Sequence, residues 1–505
     1  MTEKAKLALD ELTKRIKQIN LLSSCMSLLG WDERTYMPPK GAGNRSEQQS
    51  LLAGIGHEQF VSTEINDLLS EVEGSDLISD PLSPTAVNIR EIRRAYDKRV
   101  KIPKDLVEEL SKTATLAEHA WDQARKNSDF SEFAPWLSKM MDLRRREAEA
   151  IGYEKEPYDA LLDNYEPGET GQNIAEVFKN LRKDLLPLVE AIANSPKKPD
   201  ISILEREYPV ELQKKFGRMA SEAIGFDYEG GRIDVTTHPF CTTIGPGDVR
   251  ILTRYNPNHL GQALFGTLHE SGHAMYEQGL LPEHYGMPMG DTISLGIHES
   301  QSRLWENIVG RSYAFWQHFF PKAQEMFPQA LGNVKLDDLY FAANDVRPSF
   351  IRVEADEATY NLHILIRFEI EHAIFSGELK IEDIPGVWNE KFTRYLGITP
   401  NDNSQGCLQD VHWSAGLIGY FPTYTLGNLY SAQFYTKAKA DLGNLDTEFA
   451  KGNFSGLLGW LRENIHSQGQ RYRAVDLVKE VTGEPLSHKY LIDYLKEKYS
   501  PLYGI

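Results

Sequence analysis

His269-Glu270-Ser271-Gly272-His273 sets two histidines four residues apart, with a glutamate directly after the first. On an α-helix, residues four apart lie on one face about one turn from each other, so both imidazoles can meet a single point only if this stretch is helical. The flanking chain agrees. Leu9, Leu12, Ile16 and Ile19 recur at three- and four-residue steps, and similar stripes return through residues 106–124, 137–151 and 174–192. That is the period of helices with one buried face, and the class expected is mainly α.

One region departs from this pattern. Residues 231–255 are rich in Thr, Val and Ile, with Gly245, Pro246 and Gly247 in their middle, as for two short strands joined by a turn. They directly precede the His269 helix, so a strand is expected along the edge of the cleft which that helix lines. After Gly279 the chain turns, and residues 294–310 read as another helix. A further long helix is expected to begin after Pro348 and run to about Phe375, since Pro suits a helix start and Gly377 supplies a stop. Breaks at 74–84 and 194–199 collect Pro, Ser, Asp and Lys, but neither is long enough for an interdomain linker. Residues 1–505 are therefore expected to form a single domain.

Composition sets the outer limits. Hydrophobic residues at 41% and charged ones at 25% are ordinary for a folded globular chain and exclude disordered and fibrous classes. No apolar run reaches the ~18 residues needed to cross a bilayer, and the N-terminus carries no secretory signal pattern, so the expected address is the cytoplasm. A net charge of −18 repels phosphate backbones and anionic lipid, which argues against nucleic acid and membranes as partners. Cys25, Cys241 and Cys407 are scattered and form no Cys-x-x-Cys pair; buried thiols in a reducing compartment are expected.

The histidine pair points to a metal. Both imidazoles can place a nitrogen ~2 Å from one Zn²⁺, and Glu270 projects beside them, where it suits a general base that takes a proton from attacking water. A third ligand is needed, and Glu299 in His298-Glu299-Ser300-Gln301 is the natural choice, with His298 as its competitor. Two histidines and one carboxylate form a catalytic zinc set with one position left open. Co²⁺ preferences overlap with those of Zn²⁺ at such a set. Many such sites carry a carboxylate one turn past the third ligand to orient a histidine; here that residue is Arg303, and Glu306 further on is the substitute. The bland alternative, two ordinary helix residues, is weakened by the Glu-bearing helix downstream. A zinc peptidase follows as the reading.

Further segments resemble the carboxypeptidase Taq family of thermostable metallocarboxypeptidases along nearly the whole chain. They are Trp31-Asp32 through Thr35-Tyr36-Met37-Pro38; Pro157-Tyr158-Asp159-Ala160-Leu161-Leu162-Asp163 with Tyr165-Glu166-Pro167-Gly168; and His238-Pro239-Phe240. Beyond the metal helices, Ile351-Arg352-Val353-Glu354-Ala355-Asp356 is similar to the family's Ile-Arg-x-x-Ala-Asp, and 406–413 to its Gly-x-x-Gln-Asp-x-His-Trp. The family's Asp-x-Arg-x-Thr element departs: Asp248 and Arg250 keep register, but Leu252 stands at the threonine position and the threonine comes at Thr253. The resemblance implies a saddle-like helical fold with a deep groove and a small β-sheet beside the active site, of the neurolysin and angiotensin-converting-enzyme type. It also implies a homodimer, one Zn²⁺ or Co²⁺ per chain, and removal of single C-terminal residues from peptides with broad preference, proline excepted.

Remaining roles follow from that activity. A free carboxylate is best gripped by Arg, and Arg352, expected near a helix start, is the choice; a structural pair with Asp356 is the alternative. Oxyanion donors are sought in the late segment, as in related oligopeptidases: His412 and Tyr424 are preferred, with Tyr420 close behind. His238 is a candidate for contacting substrate backbone. His363 and His372 are read as core or surface residues. Two other readings share the sequence: an oligopeptidase cutting internally with the same metal site, and a non-catalytic zinc-stabilised peptide-binding protein. The intact Glu270 argues against the second.

Overall fold

The computed structural model describes residues 3–505. It is mainly helical with one small sheet, and among the described residues no helix is long and apolar enough to cross a membrane. The predicted stripes become the helices Lys104–Asn127, Phe130–Ile151 and Gly171–Asn194. Their apolar residues, Leu137, Ile174, Leu181 and Ile192 among them, enter one large core that runs on to Tyr503. Leu12 and Ile16 go elsewhere: they join Ile65, Leu69, Ile89 and Tyr96 in a smaller core under the N-terminal helices.

Three strands form where two were expected. β2 (Phe240–Gly245) and β3 (Asp248–Thr253) are the antiparallel pair around Pro246 and Gly247, while β1 (Gly231–Val235) adds to the far side of β3 in parallel, giving the order β1-β3-β2. The period-2 pattern of β3 explains its place: Val249 and Ile251 are buried on one face, and Asp248 bonds Arg250 on the other at 2.8 Å. Arg250 lies 4.2 Å from the ring centroid of Trp31, and Tyr36 donates to Asp234 of β1 at 2.8 Å. These contacts seat the N-terminal Glu3–Thr35 helix beside the sheet. Ser24 of that helix donates to the Ile244 carbonyl on the outer edge of β2.

The central Leu260–Glu277 helix starts at His259, whose Nδ1 accepts from the Gly261 and Gln262 amides at 3.0 and 3.2 Å. Ser294 caps the next helix, Leu295–Arg303, by accepting from Ile297 at 3.1 Å, and the chain continues as a π-helical stretch, Leu304–Val309. The Leu295–Arg303 helix is pressed between two others. A Cβ on Gly272 would meet the Gln301 carbonyl at 2.6 Å, and a Cβ on Gly427 of the Pro422–Leu442 helix would meet Glu299 Cγ at 2.5 Å. Only glycine permits both approaches.

Two expectations are corrected. The helix placed after Pro348 begins only at Tyr360 and ends at Phe375, preceded by a single 3₁₀ turn, Arg352–Glu354. Asp356 is the cause: its carboxylate accepts from the Ala358 and Thr359 amides at 2.9 Å and its carbonyl from the Tyr360 amide at 2.9 Å, which folds residues 357–359 into the turn from which the helix starts. The thiols are not uniformly buried either. Cys407 is buried, Cys241 half-buried and Cys25 exposed, because the Glu3–Thr35 helix buries none of residues 17–30.

The tight crossings predict a consequence. Gly272→Ala or Gly427→Ala should cost about 1–3 kcal/mol by overpacking, visible as a lower thermal midpoint, and should reduce bound metal per chain. Unchanged melting and metal content in both variants would contradict the close approach.

Candidate active site

His269 and His273 project from one face of the Leu260–Glu277 helix, and Glu299 reaches them from the neighbouring Leu295–Arg303 helix. Their ligand atoms lie within 4.8 Å of one another. Glu299 Oε2 is 3.8 Å from His269 Nε2 and 3.4 Å from His273 Nε2, close to the ~3.3 Å edge of a tetrahedron with bonds of ~2 Å. This donor set fits a divalent transition metal.

Around it, buried charges alternate. His269 Nδ1–H donates to Glu306 Oε2 at 2.9 Å, which leaves Nε2 facing the other ligands. Arg303 Nε donates to Glu299 Oε1 at 2.6 Å and its Nη1 to Glu306 at 3.4 Å, while Arg311 reaches Glu306 from the other side at 3.3 Å. Burial, with the neighbouring His298 ring adding to it, pushes His273 down to about 3, so it stays neutral, the form in which an imidazole can hold a metal. Burial also pushes the Glu270 carboxyl up to about 7, with Glu299 adding to it against the opposing pull of His269. A carboxylate so poised can both accept and return a proton near neutrality. His298, the competitor for third ligand, instead bonds Glu277 at 3.0 Å and stacks on the His273 ring at 4.4 Å.

A second cluster adjoins the first. Arg303 lies 4.3 Å from the centroid of Tyr360, whose hydroxyl accepts from Arg352 Nη1 at 2.9 Å. Arg352 is buried and pairs not with Asp356 but with Asp410, through Nε at 2.9 Å and Nη2 at 2.8 Å. Arg367 binds the other oxygen of Asp410 at 2.7 Å, so two guanidiniums share one carboxylate. Burial alone would raise Asp410, but the two arginines outweigh it and hold the carboxyl far below its ordinary 3.8. Arg352 also sits 5.0 Å from the Tyr424 centroid, and the Tyr424 hydroxyl bonds His412 Nε2 at 3.1 Å. Tyr420 meets both rings at an angle, 5.4 Å from Tyr424 and edge-on at 5.3 Å from His412. His238 is exposed in the bend between β1 and β2, outside this cluster. His363 is fully buried among core residues, and His372 bonds Glu156 at 3.0 Å.

Several residues that hold the site were not singled out from the sequence. Glu166 is buried where it accepts from the Gly296 amide at 3.1 Å, Ser294 at 3.1 Å and Tyr430 at 2.8 Å, which pins the start of the Glu299 helix. Glu371 accepts from Tyr158 at 2.9 Å, Trp413 at 2.9 Å and the Gly419 amide at 3.1 Å, which anchors the segment before Tyr420. Gln409 accepts from the Arg352 amide at 2.9 Å and fixes its turn. Glu166, Tyr158, Gln409 and Trp413 stand inside the motif segments, which was the available signal; Glu371 gave none. Beside the site a cavity of about 850 Å³ opens between the N-terminal helices and the loop after the metal helix, lined by Ile16, Lys98, Asp163, Tyr165, Ile244 and Glu277.

Comparison with known proteins agrees in extent. The family model for carboxypeptidase Taq (M32) metallopeptidases matches residues 11–499. A thermostable carboxypeptidase 1 of Thermus thermophilus is 50% identical over 493 residues, covering 96% of both chains, and carboxypeptidase 1 of Bacillus subtilis is 42% identical, covering 97% of both. Among solved structures, an M32 carboxypeptidase of Deinococcus radiodurans superimposes with a TM-score of 0.95 at 39% identity, covering 99% of this chain and 100% of that one.

The Asp410 pairing sets a pH dependence. Its folded-state pKa lies below the unfolded 3.8, so the stability it contributes is complete above about pH 4 and is lost as pH falls further. Asp410→Asn should therefore lower stability by about 3–5 kcal/mol at pH 7, and the deficit in thermal midpoint should narrow at pH 3. Equal deficits at both pH values would contradict the assignment.

Proposed function

Since the chain belongs to the carboxypeptidase Taq (M32) metallopeptidase family and is a metallocarboxypeptidase, we infer that it releases C-terminal amino acids one at a time from peptides, using one Zn²⁺ per chain, with Co²⁺ able to replace it. The observation that carries this reading is the convergence of His269, His273 and Glu299 beside a buried Glu270, with the guanidinium of Arg352 linked to Glu299 through Arg303 and Tyr360. A bound divalent ion would supply Lewis acidity, acidifying water and polarising the scissile carbonyl.

The protein's own groups do the rest. Glu270 accepts the proton of the attacking water and passes it to the departing amine. Tyr424 and His412 donate to the oxygen on which charge develops, with Tyr420 packed edge-on or tilted against both. Burial, together with Arg352 and Arg367, pushes His412 down to about 4 in spite of Asp410, so it stands as a neutral donor near pH 7. Arg352 recognises the terminal carboxylate. Three of its five N–H groups serve Asp410 and Tyr360, which leaves two for an anion, and the Arg352–Arg367–Asp410 group retains one net positive charge to attract it. His238, exposed before β2, remains a candidate for touching the upstream backbone of a longer peptide. Broad preference without proline and a homodimeric state are what the family resemblance implies, three scattered cysteines fit action in the reducing cytoplasm, and the charge of −18 disfavours nucleic acid and membrane partners.

Glu270→Gln should lower kcat by about 10²–10⁴-fold while the protein keeps its metal; undiminished release of C-terminal residues would refute the role. A peptide with an amidated C-terminus should be cleaved with roughly 100-fold lower kcat/KM than its free-acid twin. Equal rates would remove Arg352 from carboxylate recognition and favour internal cleavage. Zinc content measured beside residue release, with and without a chelator, checks the metal.

A further inference from the structure

The four residues after Glu299 pose a chemical question. Arg303 stands one turn on, and its Nε–H holds Glu299 Oε1 at 2.6 Å, while Oε2 is the atom turned toward both histidines. The two carboxylate oxygens are thus assigned different partners by the protein. Ser302 Oγ lies 3.2 Å from Oε2 but also donates to the Glu299 carbonyl at 2.7 Å, so the firmest hold on the side chain is the arginine. Arg303 is itself fixed on three sides: by Glu299, by Glu306 at 3.4 Å and by the ring of Tyr360 at 4.3 Å.

We propose that Arg303 is a positioning residue that restricts Glu299 to ligation through one oxygen and so keeps a coordination position free for the reacting groups. A carboxylate can offer a cation one oxygen or both. When both bind, a position otherwise open to water and the scissile carbonyl is filled. A guanidinium gripping Oε1 holds that oxygen outward, because turning it inward would break a charge-assisted bond in a buried site. The π-helical stretch completes the device. A carboxylate at position 303 would orient a histidine but leave Oε1 unheld; here Glu306, from the π-helical turn, takes over the histidine and releases position 303 for the arginine. The inference rests on the metal site as read above and adds the reason for an arginine where a carboxylate would otherwise serve.

The test uses the full-length protein stripped of metal and reloaded with Co²⁺, whose visible absorption weakens as coordination rises above four. In Arg303→Met the second oxygen is free to close, so absorption should drop severalfold and kcat should fall about 10- to 100-fold, while Co²⁺ affinity is retained or improved. Arg303→Lys, which keeps a cationic donor, should restore the parent spectrum and most of the activity. If Arg303→Met melts early, Arg303→Gln, with a neutral donor, takes its place and should show an intermediate spectrum. A parent-like spectrum in Arg303→Met and Arg303→Gln, or a loss of Co²⁺ affinity parallel to the loss of activity, would overturn the proposal and leave the metal site standing. A parent protein that binds no Co²⁺ through His269, His273 and Glu299 would instead sink the metal-site reading itself.

Discussion

Three helices cross so closely at Gly272 and Gly427 that neither position has room for a Cβ. That contact brings Glu299 to the histidine pair: backbone rests against backbone at Gln301, and the Glu299 side chain itself packs on Gly427. The crossing is held in place from several directions. Ser294 and Glu166 fix where the Glu299 helix begins, and the π-helical stretch fixes how it leaves. Together these features leave the carboxylate one place to be.

Buried carboxylates recur as the fasteners of this site. Glu166 ties down a helix start, Glu371 a run of turns and Asp410 two arginines. Burial pushes Glu166 and Glu371 each up to about 7, and the hydrogen bonds they accept oppose that rise. Removing such groups from water is costly. Their worth lies in geometry, since a carboxylate with three fixed donors tolerates little displacement of any of them. The segments so fastened carry Glu299, Tyr420, His412 and Arg352, which are the groups whose positions chemistry would constrain.

Local patterns in the sequence foretold local structure well. A four-residue histidine spacing, a Thr- and Val-rich stretch around a Pro-Gly turn and apolar stripes all became the elements they suggest, because each is decided within a turn or two of chain. What was not legible depended on distant partners. The helix expected from Pro348 starts at Tyr360 because Asp356 folds the residues before it into a turn. Arg352 consequently lies in a buried turn, held by an aspartate 58 residues away. β1 was overlooked because its partner in the sheet is β3, across the intervening β2, and Cys25 sits on a helix face that the rest of the chain leaves uncovered. Glu306 was reachable by counting helix positions from an arginine that stood where a carboxylate serves. The hold of Arg303 on Glu299 Oε1 was not, since position alone does not reveal which oxygen a side chain grips.

The residues around the metal position come from segments far apart in the chain: a helix near residue 270, a turn at 352, a loop at 412 and a helix at 424. During synthesis, the histidine pair and Glu299 leave the ribosome well before Tyr424 does. A nascent or half-folded chain could therefore gather its ligands yet lack the donors that complete the site. With the roles proposed for His412 and Tyr424, hydrolytic competence would wait on completion of the fold, which would spare unfinished copies, and the unfolded segments around them, from their own chemistry.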